Sequence, residues 1–148
     1  MALRISAGMI PDAARDELIE RVLNNFWGRA KVAQDRYALP SSEEERNTVP
    51  VSKPLAYRAL DAGEISGLGE WCGADWQPHF LAFTRAARAK GLTDTQVAFV
   101  SVLHGAAQGS VASSLRSARA CGAADRAKVE RSLRESTRQG VEAGPRPE

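Results

Sequence analysis

A chain of 148 residues with 43% hydrophobic and 26% charged side chains has the size and composition of one globular domain, large enough to hold its own core without metals or a dense disulfide framework. The net charge of +2 is too small to imply a nucleic-acid partner, and no apolar run approaches the ~20 residues of a membrane span. Aromatic residues make up only 6%, so the core must rely on Ala, Leu and Val, which suits closely packed helices better than a β-sandwich.

Met1–Ile10 is too short and too weakly apolar for a secretory signal. The expected location is therefore cytoplasmic, or periplasmic if a signal segment has been removed. From residue 12 onward helical periodicity dominates. Ile19, Val22, Phe26, Ala30, Ala33 and Tyr37 fall at alternating three- and four-residue steps and predict a first helix over 12–37, with Asp12 as its cap and Gly28 as an interior weakness. Residues 38–53 read as a polar, exposed connection, in which Ser41 and Glu44 match a capping box.

Pro54 behind Ser52 predicts a short helix ending at Gly63, followed by a second short piece up to Cys72. Asp75 is the expected cap of a helix over 76–90, with Trp76, Phe80, Phe83 and Ala87 on one face. Thr93-Asp94-Thr95-Gln96 is a capping box that opens the longest apolar helix, running to about Cys121. A last helix follows Asp125 to about Gln139, with Glu130–Arg134 and Arg131–Glu135 spaced for pairs four apart. The resulting expectation is an all-α fold: a compact up-down bundle of four to six helices in a single domain over 1–139, with a flexible tail over 140–148.

The densest cluster of rare residues is Gly67–Trp76, which holds Cys72, Trp71 and Trp76. Counting helix directions places Cys72 and Cys121 at the same end of the bundle. A bond between them would close a loop of about 50 residues, adding on the order of 4 kcal/mol; two small buried thiols are the alternative. Trp71, Trp76, Glu70 and Asp75 at this turn form the candidate partner-binding surface, because Trp is enriched at interface hot spots. Gly105 and Gly109, four apart in the long helix, read as a face for close helix approach.

The charges are unevenly divided. Residues 1–75 carry 9 Lys+Arg against 12 Asp+Glu, and residues 76–148 carry 11 against 6. Arg119, Arg126, Arg131 and Arg134 form a candidate basic surface for an anionic partner. His79 and His104, the only histidines, could make a two-His, one-carboxylate metal set with Glu70 or Asp75, but they lack the spacing of a metal motif. Neither a Gly-x-Ser-x-Gly elbow nor a phosphate loop is present, and no cofactor or catalytic residue is expected. The leading functional expectation is a small binding module acting through a protein partner, as an adaptor, chaperone, inhibitor or immunity-type factor. A DNA-associated regulator using the basic C-terminal helices is the alternative, and a metal- or small-ligand-dependent enzyme is a third reading.

Overall fold

The computed structural model describes residues 9–142. Six helices and one small hairpin follow in chain order: α1 (Asp12–Asn24), β1 (Lys31–Ala33), β2 (Arg36–Tyr37), α2 (Glu43–Arg46), α3 (Lys53–Trp71), α4 (Gln77–Ala89), α5 (Asp94–Ala118) and α6 (Ala123–Gln139). The protein is an all-α bundle to which the hairpin is an addition.

At its centre lies α3. From Ala56 to Gly69 every residue except Asp61 is buried, the pattern of a helix enclosed on all sides. Sequence periodicity divides this segment at Gly63, yet the helix continues unbroken. The reason is α5. A Cβ at Gly63 would collide with the His104 carbonyl oxygen, and one at Gly67 would lie 2.7 Å from the Gln108 carbonyl oxygen and 2.9 Å from Val111 Cβ. The two glycines therefore let the α3 and α5 backbones approach where any side chain would hold them apart. Gly105 and Gly109 do not play that part: they are exposed on the far side of α5, and an added Cβ would meet nothing within 4 Å.

Two hydrophobic clusters surround α3. The larger joins Leu23 and Phe26 with Leu60, Phe83, Phe99, Val100 and Leu103; the smaller joins Leu68, Trp71, Val111, Leu115, Val129 and Leu133. Ser52 caps α3 through Leu55 N–H, and Thr93 and Gln96 form the complete capping box of α5, as their sequence positions predict.

The expected first helix is cut short. It stops at Asn24, and the chain reverses through Gly28, whose φ of 79° lies in the left-handed region that glycine adopts without strain. Gly28 N–H donates to Ala38 O at 2.7 Å and Ala38 N–H to Ala30 O at 2.8 Å, which ties off an antiparallel hairpin with Lys31 opposite Tyr37 and Ala33 opposite Arg36. The 38–53 connection is not wholly exposed either, since Ala38 and Val51 reach the core. Its short helix is capped by Ser42, while Ser41 N–H bonds the Glu45 carboxylate.

Two further expectations change at the helix ends. Asp75 does not cap α4: the cap position is Trp76, without a side-chain hydrogen bond, and Asp75 is exposed. At the C-terminus, Gly140 is docked by its carbonyl, which accepts from Arg58 Nε at 2.8 Å, and Glu142 pairs with Lys90. The rest of the expected tail, 143–148, lies outside the described residues. Among the described residues no ion pair joins Glu130 to Arg134 or Arg131 to Glu135; Arg119 instead grips Asp125 through two bonds, at 2.6 and 2.9 Å.

Candidate functional site

The Gly67–Trp76 turn is built as a structural corner. Cys72 and Cys121 form a disulfide with Cα atoms 5.1 Å apart, joining the end of α3 to the segment that leads into α6. Trp71 is 9% exposed, and its Nε1–H donates to Arg119 O at 2.9 Å while the Arg119 guanidinium lies over its ring. Arg126 donates to Cys72 O at 2.6 Å. Trp76 is half-buried against the smaller cluster. Glu70 accepts from Gln108 Nε2 at 2.8 Å and pairs with Arg116. Of the four residues expected to form a contact surface, Trp71 is thus closed to solvent, Trp76 and Glu70 have internal partners, and Asp75 alone is fully at the surface.

The candidate basic surface separates in the same way. Arg119 and Arg126 are bound into the corner, and the Arg119 hydrogen bonds, helped by Gly122 N–H, hold the Asp125 carboxyl at about 2. Arg131 and Arg134 are exposed on α6, without an ion pair among the described residues.

The two histidines meet inside the bundle. His79 Nδ1 lies 2.7 Å from Ser66 Oγ and His104 Nε2 lies 3.0 Å from the same oxygen. On its other side His79 Nε2 is 2.7 Å from Ser136 Oγ, which accepts from Arg58 Nη2 at 2.8 Å. The chain Arg58–Ser136–His79–Ser66–His104 therefore links α3, α4, α5 and α6 through polar groups that are all buried. Buried polar groups are tolerated only when they satisfy one another; here the single exception is His104 Nδ1, which has no hydrogen-bond partner among the described residues. Phe80 and Phe83 pack against the His104 ring.

Burial, with the Arg58 charge second, lowers His79 to about 4. Burial, then His79, then Arg58, lowers His104 to about 3. Both rings are neutral near pH 7. A serine between two imidazoles invites comparison with a hydrolytic site, but such a nucleophile needs an exposed oxygen and a general base oriented by a third group. Ser66 is closed to solvent, and no carboxylate hydrogen-bonds either ring among the described residues. Nor do three or more His, Cys, Asp or Glu side chains converge as a metal-holding group there.

A second buried cluster binds α1 to α3. Arg15 pairs with Glu64 and, at 2.5 Å, with Asp61, while donating to Ile10 O and Tyr57 O; Glu64 also accepts from Ile10 N–H at 2.6 Å. Hydrophobic periodicity does not reveal such residues, because Arg15, Arg58 and Glu64 occupy buried helix positions as charges.

Among the described residues the exposed large apolar side chains are Tyr37, Leu39, Leu81 and Val102, and the first two lie close in sequence. Leu39 is 72% and Tyr37 47% exposed, both just after the hairpin turn. With Val32, Ala38, Thr93 and Thr95 they line an open cleft of about 430 Å³, with Arg36 and Asp94 paired at its edge. A larger open groove of about 690 Å³ adjoins Ser41, Ser42, Glu44, Glu45, Thr48–Pro50 and the first turn of α5. The sequence places Tyr37 on the inner stripe of a helix, so this surface is not visible there. Its only local signal is a pair of large apolar residues immediately before Pro40 and a polar stretch.

No helix of the described residues is long and apolar enough to cross a membrane. No protein-family model, curated protein or solved structure matches the chain.

Proposed function

We propose that the protein is a small helical binding module, of the adaptor, chaperone, inhibitor or immunity type, and that it meets its protein partner through the hairpin side of the bundle. The observation that carries this reading is the exposed pair Tyr37 and Leu39 beside an open cleft rimmed by the Arg36–Asp94 ion pair. An apolar centre containing a tyrosine, surrounded by a charged rim, is the anatomy of a transient protein interface. The disulfide supports the periplasmic rather than the cytoplasmic alternative, since such bonds persist in oxidising compartments.

Affinity capture from the native cell extract tests the surface when the wild type is run beside Tyr37→Ser/Leu39→Asp and beside Trp76→Ser. The expected result is a partner retained by the wild type and Trp76→Ser but lost by the hairpin variant. Loss only with Trp76→Ser would return the contact to the corner turn, and no specific partner with any form would defeat the binding-module reading.

Arg131 and Arg134, exposed and without an ion pair among the described residues, favour a second reading, an anionic partner such as DNA. Retention on heparin that falls steeply with salt, and falls with Arg131→Ala/Arg134→Ala, would support it. Absence of retention at low salt would remove it.

A further inference from the structure

The Ser66–His79–His104 cluster does something that a purely structural hydrogen-bond network does not require: it puts two titratable rings, and no acid, beside a permanent cation. From α3 the rings face Arg58 and Ser66, from α6 Ser136, and from α4 and α5 each other and the Phe80 and Phe83 rings. The carboxylate that acts on this region, Asp61, acts on Arg58 and is paired with Arg15. Glu64 is engaged by Arg15 and Ile10 N–H.

The hydrogen bonds of the cluster leave no counter-charge for an added proton either. Arg58 can only donate, so Ser136 accepts from it, and each serine hydroxyl has one proton to share with its imidazole neighbours. If donation runs outward from Ser136, both rings accept through Nε2. If it runs inward, His79 accepts through Nδ1 and His104 Nδ1 is a bare lone pair. In neither direction does an added proton find a carboxylate to balance its charge, and it arrives in a closed site that already holds a guanidinium.

The helix least able to resist is α4. Its fully buried side chains are His79, Phe83 and Ala87, and short turns at Gly73 and Gly91 bound it on both sides. By contrast, α5 is locked to α3 through Gly63 and Gly67, and the Cys72–Cys121 bond ties the approach to α6 to the end of α3. We propose that α4 is an acid-released flap: protonation of the buried imidazoles lifts it from the α3–α5 pair and exposes the apolar faces of Phe80 and Phe83, while α3, α5 and the tethered α6 keep their helical structure. The lowered proton affinity of both rings sets the opening below neutrality, between the ordinary histidine range and about 4.

The test is backbone and histidine-ring NMR on the full oxidised chain from pH 7.5 to 3.5. Amides of residues 77–89 are expected to lose their helical shifts with a midpoint between pH 4 and 6, in step with the ring resonances of His79 and His104, while residues 94–118 stay helical. His79→Gln/His104→Gln, which keeps polar groups that cannot take up a proton in this range, is expected to lose the transition. If that variant does not fold, His79→Gln alone, expected to lower the midpoint by at least half a pH unit, is read in its place. The proposal is overturned if α4 remains helical and packed at pH 3.5, if all helices melt in one transition, or if the variant opens at the wild-type midpoint.

Discussion

The same substitution, Gly to Ala, should have opposite effects on two helices that face each other. In Gly63→Ala the new methyl group would overlap the His104 carbonyl oxygen and lie 2.8 Å from Ala107 Cβ; in Gly67→Ala it would lie 2.7 Å from the Gln108 carbonyl oxygen. These neighbours are backbone or the first atom of a side chain, so they cannot rotate away and the helices must separate. Overpacking of this kind costs about 1–3 kcal/mol, and contact with rigid backbone puts it at the upper end. Replacing a helical glycine returns about 1 kcal/mol of propensity. The net expectation is a loss of about 2 kcal/mol for each of Gly63→Ala and Gly67→Ala, or about 4–8 °C in Tm for a domain of this size. At Gly105 and Gly109 nothing opposes the methyl group within 4 Å. There the propensity term acts alone, and each alanine should raise stability by up to about 1 kcal/mol. Thermal unfolding of the four single variants by circular dichroism decides the matter. If Gly105→Ala or Gly109→Ala destabilises while Gly63→Ala or Gly67→Ala is neutral, the close approach runs through the other face of α5 and the packing described above is refuted.

Arg15→Ala should cost about 3–5 kcal/mol, because it takes the guanidinium from the buried Glu64 carboxylate, and Glu64→Ala should cost less, because Arg15 keeps Asp61; Arg15→Met/Glu64→Leu should recover most of the Arg15→Ala loss in urea unfolding. Replacing Cys72 and Cys121 by serine should cost on the order of 4 kcal/mol, read as a lower urea midpoint that wild type reaches only under reductant. Tyr37→Ser/Leu39→Asp should leave Tm nearly unchanged, since both side chains are exposed and surface changes of this kind usually stay within about 0.5 kcal/mol. Acid should destabilise the protein in a defined window. The folded-state values of about 4 for His79 and about 3 for His104 lie below the ordinary 6.5, so below pH 6.5 the unfolded chain binds the extra protons. The stability contributed by the neutral rings is complete above that pH and is lost as pH falls toward 4 and then 3. At pH 5 the loss is about 2 kcal/mol per ring, measured as the difference between urea unfolding free energies at pH 7 and pH 5. An unchanged value would mean that the rings are not held neutral.

How far the sequence reveals this fold depends on whether a signal is local. The Thr93–Gln96 box, the Ser52 cap before Pro54 and the long apolar period of α5 act within a few residues, and each appears where the pattern places it. The shared end for Cys72 and Cys121 follows from counting helix directions, which needs only the order of elements. The hairpin escapes because strands of three and two residues are too short for a period of two to register, and because Ala30, Ala33 and Tyr37 happen to continue the stripe of α1. Gly28 carries the distinguishing information, but a glycine at a helix interior and a glycine at a reversal look alike until φ is known.

The glycines of α3 and α5 show the same limit from the packing side. Gly63 and Gly67 stand four apart, as do Gly105 and Gly109; the intrinsic cost of each is equal, and only the partner's position tells which pair is compensated. The buried site is harder still. His79 and His104 stand out by rarity, and bundle geometry brings their helices together, but Ser66 and Ser136 belong to a common residue type and acquire meaning only when four helices deliver them to one point. Arg58 compounds this, because a charged residue in a helix reads as surface, and its burial depends on hydrogen bonds to Ser136 and Gly140, some 80 residues away. What the sequence hides is therefore concentrated in long-range polar contacts. Those contacts decide which titrations affect the fold, so the acid response of this protein follows from tertiary structure and not from its histidine content.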